Sequence, residues 1–231
     1  MEYSDFPEAA LGIERIGDAF RLDFERIVNL RPDIVLAWDS GNRKGDVERL
    51  RKLGLTVYLS EPDTLDAIAV SLEKIGILAG TESTATEAAR RYRAQLDQLK
   101  RPVKEGDEPV RVFYQIWDAP LMTINADHLI SEVIHRCGGR NIFASLGPLT
   151  PQISREAVVV ADPEIILSAS TNQDDRWSEP WRALESLSAV QAGALVTLQS
   201  DVISRASTRI VDGVRQLCGA LDRVRASLRL P

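Results

Sequence analysis

The chain has 231 residues, of which 44% are hydrophobic and 27% charged, and its formal net charge is −6. This composition is ordinary for a globular protein, and the length allows a hydrophobic core that is stable without disulfides or bound metals. Acidic and basic residues are mixed along the chain, so the sequence lacks the basic footprint of a nucleic-acid-binding protein. No apolar run approaches the roughly 18 to 20 residues that cross a bilayer.

The first twelve residues, MEYSDFPEAALG, have none of the features of an export signal. They lack a cationic start, an apolar stretch and a small-residue cleavage site. Read literally, they describe a cytosolic protein, and that interpretation depends on residue 1 being the true start of the chain.

The first third of the chain alternates predicted strands and helices. The continuous apolar run DIVLAW at 33–38 is typical of a buried parallel strand. The segment 45–54 predicts an amphipathic helix with Gly54 as its stop. A strand at 55–60 and a helix at 64–80 follow. This alternation predicts an α/β sheet with right-handed crossovers.

A long helix separates two halves of the sequence. Residues 82–101 contain no Gly or Pro and predict one continuous helix, after which two prolines and a glycine break the chain. We therefore predict an N-terminal lobe at 1–81, a linker helix and break at 82–109, and a C-terminal lobe at 110–231.

The C-terminal lobe begins a second α/β series. Its predicted strands lie at 111–117, 164–170 and 194–199, and its predicted helices at 126–139 and 207–228. Gly138 and Gly139 are the predicted stop of the first of these helices.

The two halves share a short internal repeat. ERIVNLRPDIVLA (25–37) aligns without gaps with EAVVVADPEIILS (156–168). Helix–Pro–strand junctions recur on physical grounds alone, because Pro cannot continue a helix. The acidic residue at each helix start, Glu25 or Glu156, is not explained in that way, and the helix dipole favours a carboxylate there. Two equivalent glutamates would suit a two-fold symmetric, basic partner.

The residues give no catalytic constellation. His128 and His135 lie seven positions apart on one predicted helix, without a third ligand, as is ordinary for helix-surface or core-edge side chains. The sequence has no G-x-S-x-G, no P-loop and no G-x-G-x-x-G after a strand. These absences disfavour an enzyme but do not exclude one. We predict a protein that is not an enzyme, with no catalytic residues, no metal site and no cofactor.

Aromatic residues end two of the predicted strands. Ligands of α/β sheets bind beyond the carboxyl ends of the strands, so Trp38 and Trp117 could line a crevice between the lobes. Packing in the core or at its rim is the alternative for either ring. Asn42, Asp201 and Arg205 could orient a ligand there, although the last two could equally form a surface ion pair.

The two cysteines, Cys137 and Cys218, have neither metal-ligand spacing nor C-x-x-C spacing. The residues alone leave two possibilities open, a pair of buried thiols or one disulfide. A disulfide would close a loop of about 80 residues and contribute roughly 4 to 5 kcal/mol in the chain-entropy model. It would persist only in an oxidising compartment.

Four segments resemble the periplasmic cobalamin-binding proteins of ABC importers: RPDIVLAW followed by GN, QIWDAPLMT, CGGRNIF, and SDVISRASTR leading into QLC. In that superfamily two Rossmann-like α/β lobes are joined by one long backbone helix. The resemblance covers nearly the whole chain and implies a monomeric periplasmic receptor. Such a receptor binds cobalamin or a related corrinoid in the interlobe cleft and delivers it to permease and ATPase subunits. The alternatives are a siderophore or haem receptor of the same fold, or a cytosolic bilobed α/β enzyme.

The resemblance also implies roles for individual residues. The positions expected around the corrinoid are Tyr3, Trp38, Asp201 and Arg205, with Phe20 as an approximate match and Trp117 on a cleft-facing strand end. Glu25 and Glu156 match carboxylates that dock onto arginines of the two membrane subunits. Cys137 and Cys218 match a disulfide within the second lobe.

The chain departs from the family pattern at two places. Val202 and Ile203 stand where the family has an aromatic pair. The family also has a signal peptide, a first strand and a first helix before the segment YSDFP. We therefore expect an incomplete start and an N-terminally truncated first lobe.

Overall fold

A computed structural model describes residues 6–18, 21–103, 105–171 and 174–228 of the chain. Its backbone contacts define two compact units, Met1–Glu61 and Pro62–Pro231. The predicted lobe boundaries at residues 81 and 109 stay a prediction. Within the described residues, no helix is both long enough and apolar enough to cross a bilayer.

The first unit contains a small parallel sheet. Strand β1 (Val35–Trp38) pairs with β2 (Val57–Ser60), and Trp38 lies opposite Ser60 at the carboxyl ends of both strands. Two helices precede and connect the strands, α1 (Phe24–Asn29) and α2 (Lys44–Lys52). A short 3-10 helix, Glu8–Gly12, lies near the start of the unit.

The prediction of a fully buried strand at 33–38 is wrong. Leu36 is 50% exposed, and burial alternates along β1 between half-buried and exposed residues. Within the described part of the chain β1 pairs with β2 alone. The other edge of β1 and one of its faces are therefore more exposed than those of a central strand in a parallel sheet.

A helical hairpin opens the second unit. It consists of α3 (Leu65–Leu78) and α4 (Glu82–Gln98), which match the predicted helices at 64–80 and 82–101 with shorter ends. The buried Tyr92 hydroxyl donates a hydrogen bond of 2.9 Å to the carbonyl of Leu65, so it ties α4 to the start of α3.

The main sheet of the second unit is parallel and has the strand order β6-β3-β7-β8. The strands are β3 (Val110–Gln115), β6 (Gly139–Asn141), β7 (Ile165–Ser170) and β8 (Leu195–Gln199). Three of them confirm the predicted strands, whereas β6 is not predicted and its first residue, Gly139, belongs to the predicted helix at 126–139. The error arose because Gly138 and Gly139 look alike as a helix stop, although only Gly138 has a left-handed φ, of 74°.

A two-stranded antiparallel hairpin follows β3. It pairs β4 (Trp117–Asp118) with β5 (Leu121–Met122). The prediction that Trp117 ends the strand at 111–117 is therefore wrong, because β3 ends at Gln115 and the chain bends at the next residue. A continuous apolar run such as RVFYQIW does not reveal where a strand turns away from its sheet.

Helices cover both faces of this sheet. They are α5 (Leu129–Arg136), α6 (Arg155–Ala161), α7 (Glu179–Arg182), α8 (Ser188–Gln191), α9 (Ser200–Ile203) and α10 (Ile210–Leu228). Val112 and Tyr114 pack in one core cluster and Phe113 in the other. Successive residues of a strand point to opposite faces, so a strand buried on both sides is apolar throughout.

A disulfide joins Cys137 to Cys218 across 81 positions, and both residues are buried. It links the residue that ends α5 to α10, as the resemblance implied. Arg225 of α10 donates a hydrogen bond of 2.8 Å to the carbonyl of Cys137, so the same junction is also held without the covalent bond.

Candidate functional site

Trp38 is a fixed aromatic surface at the carboxyl end of β1. The residue is 58% exposed. Asn42 accepts a hydrogen bond of 2.7 Å from the Trp38 backbone N–H through Oδ1, and its own N–H donates to the Trp38 carbonyl at 2.9 Å. A Cβ at Gly41 would lie 1.9 Å from the ring carbon Cε3, so the indole packs directly on that backbone. Only glycine allows this approach.

Glu61 holds the edge of the same ring. The indole N–H of Trp38 donates to its carboxylate, which also accepts hydrogen bonds from the backbone N–H of Ser40 at 2.8 Å and from the Ser40 hydroxyl at 2.9 Å. Slight burial raises the pKa of Glu61, but the three hydrogen bonds outweigh it and lower the pKa below its usual value. The carboxylate therefore stays ionised and keeps the indole in place.

Sequence reasoning identified Trp38 and Asn42 in this first-unit group but missed Gly41 and Glu61. Asn42 shapes the turn after β1 through both of its contacts, and its contact with a ligand stays a prediction. Tyr3 and Phe20 lie outside the described residues. A cavity of about 230 Å³ adjoins the ring and is lined mainly by aliphatic side chains. The available signal for Glu61 was its position directly after β2, at the same sheet end as Trp38.

Trp117 is the exposed aromatic residue of the hairpin beyond β3. It is 60% exposed, and its indole N–H donates a hydrogen bond of 3.0 Å to the carbonyl of Ala119. This contact turns the ring back along its own hairpin. The antiparallel pairing of Trp117 with Met122 fixes the backbone on both sides of the ring.

Polar residues follow the carboxyl ends of β7 and β8 in the second unit. Asp201 lies on α9 after β8, and its Oδ1 is 2.9 Å from Nη2 of Arg205. The ion pair, one of the two alternatives for these residues, is therefore present, and their contact with a ligand stays a prediction. Hydroxyls of Thr171 and Ser200, directly after β7 and β8, lie 3.0 Å apart. Sequence reasoning missed this pair, although both residues follow predicted strands.

Val202 and Ile203, which stand where the resemblance implies an aromatic pair, are buried in the core. The Val202 carbonyl and Ile203 pack against α10, whose Gly213 approaches so closely that a Cβ there would lie 2.8 Å from that carbonyl oxygen and 2.9 Å from the Ile203 Cα. These two residues therefore stabilise the position of α9, on which the Asp201 side chain is only partly exposed.

The histidines have structural positions. His128 is the N-cap of α5, where its Nδ1 accepts the backbone N–H of Ile130 at 3.1 Å, and burial lowers its pKa. His135 is exposed in the last turn of the same helix. Across residues 6–18, 21–103, 105–171 and 174–228, no three His, Cys, Asp or Glu side chains are grouped so that they could hold a metal ion.

Glu25 and Glu156 occupy equivalent positions on two short helices. Each is the second residue after an N-cap: Asp23 accepts the N–H of Arg26 at 3.0 Å, and Ser154 accepts that of Ala157 at 3.2 Å. Hydrogen bonds from its own backbone N–H and from the Ser154 hydroxyl lower the pKa of Glu156. Both glutamates are exposed.

The repeat extends to an unusual backbone conformation. Arg31 and Asp162, which precede the two prolines at matching places of the alignment, have left-handed φ values of 47° and 41°. Such values are uncommon outside glycine and cost roughly 1 to 2 kcal/mol. Two non-glycine residues in this conformation at matching places indicate that the two units share a helix–Pro–strand construction beyond what proline alone imposes.

Exposed aromatic rings held by hydrogen bonds, and polar groups at the carboxyl ends of parallel strands, are typical of ligand-binding proteins of the α/β class. A family model described as "Periplasmic binding protein" matches residues 4–202. The chain therefore belongs to the periplasmic binding protein family, which is a family of binding proteins and not of enzymes.

Relatives within the family support the resemblance seen in the sequence. A vitamin B12-binding protein of Vibrio cholerae serotype O1 is 36% identical over 218 residues, which cover 94% of this chain and 78% of that protein. The crystal structure of the periplasmic vitamin B12 binding protein BtuF of Vibrio cholerae has a TM-score of 0.79 at 33% identity, with 97% and 87% of the two chains covered. The resemblance to this receptor group is confirmed.

A haem-binding relative shares the fold alone. The periplasmic haem-binding protein BhuT, solved with two haems, has a TM-score of 0.80 at 18% identity and covers 94% of this chain and 86% of its own. Proteins with closely similar backbones are thus named for different ligands, so the choice of ligand must depend on the side chains.

Proposed function

We propose that the protein is a periplasmic receptor that binds cobalamin or a related corrinoid and delivers it to an ABC importer. The observation that carries the proposal is Trp38, an exposed indole fixed on one face by Gly41 and at its edge by Glu61. A rigid aromatic surface binds a large, rigid and partly apolar ligand with little loss of side-chain entropy. The names of the relatives point to the same ligand class.

The proposal assigns ligand contacts to residues of both predicted lobes, 1–81 and 110–231. Trp38 and Trp117 contact apolar surfaces of the corrinoid, while Asn42, Asp201 and Arg205 meet the amide groups at its periphery. Tyr3 and Phe20 complete the expected set. No bond of the ligand changes, so the protein's task is capture and release.

The buried disulfide supports a location outside the cytoplasm. Cytoplasmic thiols are kept reduced, whereas disulfides form and persist in the periplasm. Release then takes place at the membrane, where the permease and ATPase subunits of the importer are the partners. Glu25 and Glu156, one on each unit, dock a monomeric receptor onto arginines of the two membrane subunits. An ion pair of this kind steers association and weakens as salt is added.

The ligand part of the proposal is tested by isothermal titration of cyanocobalamin into the wild-type protein and into Trp38→Ala. We expect about a 10- to 100-fold loss of affinity, because the stacking contact and its buried apolar area are removed. Leu53→Ala is the matched control, since Leu53 is an exposed apolar residue of the same unit, at the end of α2. Equal affinity of Trp38→Ala and wild type would contradict the assignment of the site.

The docking part is tested with the charge-reversed double variant Glu25→Lys and Glu156→Lys. Its affinity for the importer complex should fall, while its affinity for cyanocobalamin should match that of the wild type. Unchanged docking in this variant would refute the role of the two carboxylates.

A further inference from the structure

Exposed aliphatic side chains lie beside both proposed docking glutamates on their helices. Val28 follows Glu25 by three residues on α1 and is 39% exposed; Val159 follows Glu156 by three residues on α6 and is also 39% exposed. The next residue of α6, Val160, is 86% exposed. Side chains three apart on a helix are neighbours on one face, so each carboxylate has an apolar neighbour.

The fold does not account for these valines. Val158 alone of the three consecutive valines in α6 is buried in the core. An exposed Val weakens a helix relative to Ala, because its branched side chain loses rotamer freedom and gains little burial. Val28 and Val159 nevertheless occupy equivalent positions of the repeat and have equal exposure. A role that both units share explains this coincidence better than helix stability does.

We propose that each unit docks through an acidic–aliphatic face, consisting of Glu25 and Val28 on the first unit and of Glu156, Val159 and Val160 on the second. The inference rests on the proposed function, which assigns the two glutamates to docking. The occupant of each face is a membrane permease subunit that presents a cationic side chain beside an apolar pocket.

The charge and the apolar surface have different tasks in this contact. Attraction between exposed charges acts over a distance of about 8 Å at physiological salt and mainly accelerates association. Burial of aliphatic groups is insensitive to that screening and slows dissociation. A receptor that docks by charge alone would leave the membrane as salt rises, whereas an acidic–aliphatic face retains it.

The test uses the double variant Val28→Ser and Val159→Ser, loaded with cyanocobalamin. Its binding to the cognate permease–ATPase complex in nanodiscs is measured by biolayer interferometry at low and high NaCl. We expect about tenfold weaker docking, mainly through faster dissociation, with a larger loss at high salt. Affinity for cyanocobalamin and the melting temperature should match the wild type. Ile77→Ser is the matched control, because Ile77 is a 61% exposed aliphatic residue of α3, outside both faces.

Glu25→Lys with Glu156→Lys, measured in parallel, separates the possible failures. If this charge-reversed variant docks poorly while the valine variant docks like the wild type, the inference is overturned and the proposed function stands. If the charge-reversed variant docks normally, the proposed docking role fails and the inference fails with it. A wild-type dimer in solution that the valine variant abolishes would assign the faces to self-association and would also overturn it.

Discussion

Replacing Gly41 by Ala probes the placement of Trp38 without touching the ring itself. The new Cβ would lie 1.9 Å from Cε3 and 2.3 Å from Cδ2 of the indole, whereas ordinary contacts begin at 3.4 Å. The ring must therefore shift or rotate away, because the backbone at Gly41 needs no left-handed φ and can accept Ala. That displacement also pulls the indole N–H from Glu61.

We expect Gly41→Ala to lower the affinity for cyanocobalamin about tenfold, which corresponds to about 1.4 kcal/mol of lost contact. Isothermal titration measures this affinity, and tryptophan fluorescence reports the altered surroundings of the ring. Gly45→Ala is the control, since nothing lies within 4 Å of a Cβ at that position. Wild-type affinity in Gly41→Ala, with a measurably displaced ring, would refute the view that a fixed Trp38 contributes to binding.

Three further predictions concern stability. Replacing both Cys137 and Cys218 by Ala should lower the free energy of unfolding by roughly 3 to 5 kcal/mol in urea titrations, because the unfolded chain regains the conformational entropy of an open loop. A loss below about 1 kcal/mol would contradict this. The free energy of unfolding should fall as the pH drops below about 6.5, because His128 binds a proton in the unfolded state but stays neutral when it is buried in the folded state. Asn at this position can cap the helix but does not titrate, so His128→Asn should flatten the pH dependence between pH 7.5 and 5.5. Identical pH profiles of the variant and the wild type would contradict this. Tyr92→Phe should cost about 1 kcal/mol in the same urea assay, because the carbonyl of Leu65 loses its buried donor, and an unchanged midpoint would count against that bond.

The sequence predicted most elements of the fold because their signals are local. Continuous apolar runs marked β7 and β8, and helical spacing marked α2, α3 and α10. The short strand β6 carries no such signal, since its geometry comes from pairing with β3, a strand that lies far from it in the sequence. Local pattern therefore predicts elements well, but not short strands that only their neighbours define.

The residues of the candidate site were likewise predictable only where their signals are local. Trp38 and Trp117 were predictable because aromatic residues near strand ends are visible in a single segment. The contact between Glu61 and the Trp38 ring was not, since it joins the ends of two parallel strands that are separated in the chain by the whole of α2. The pairing of the two cysteines needed the resemblance to a family, because their spacing alone left free thiols equally open.

Parallel titrations of the purified wild-type chain with cyanocobalamin and with haem show whether the protein binds a corrinoid. We expect saturable one-to-one binding of cyanocobalamin, accompanied by quenching of tryptophan fluorescence, and much weaker binding of haem. Absence of corrinoid binding at tens of micromolar, or a clear preference for haem, would contradict this.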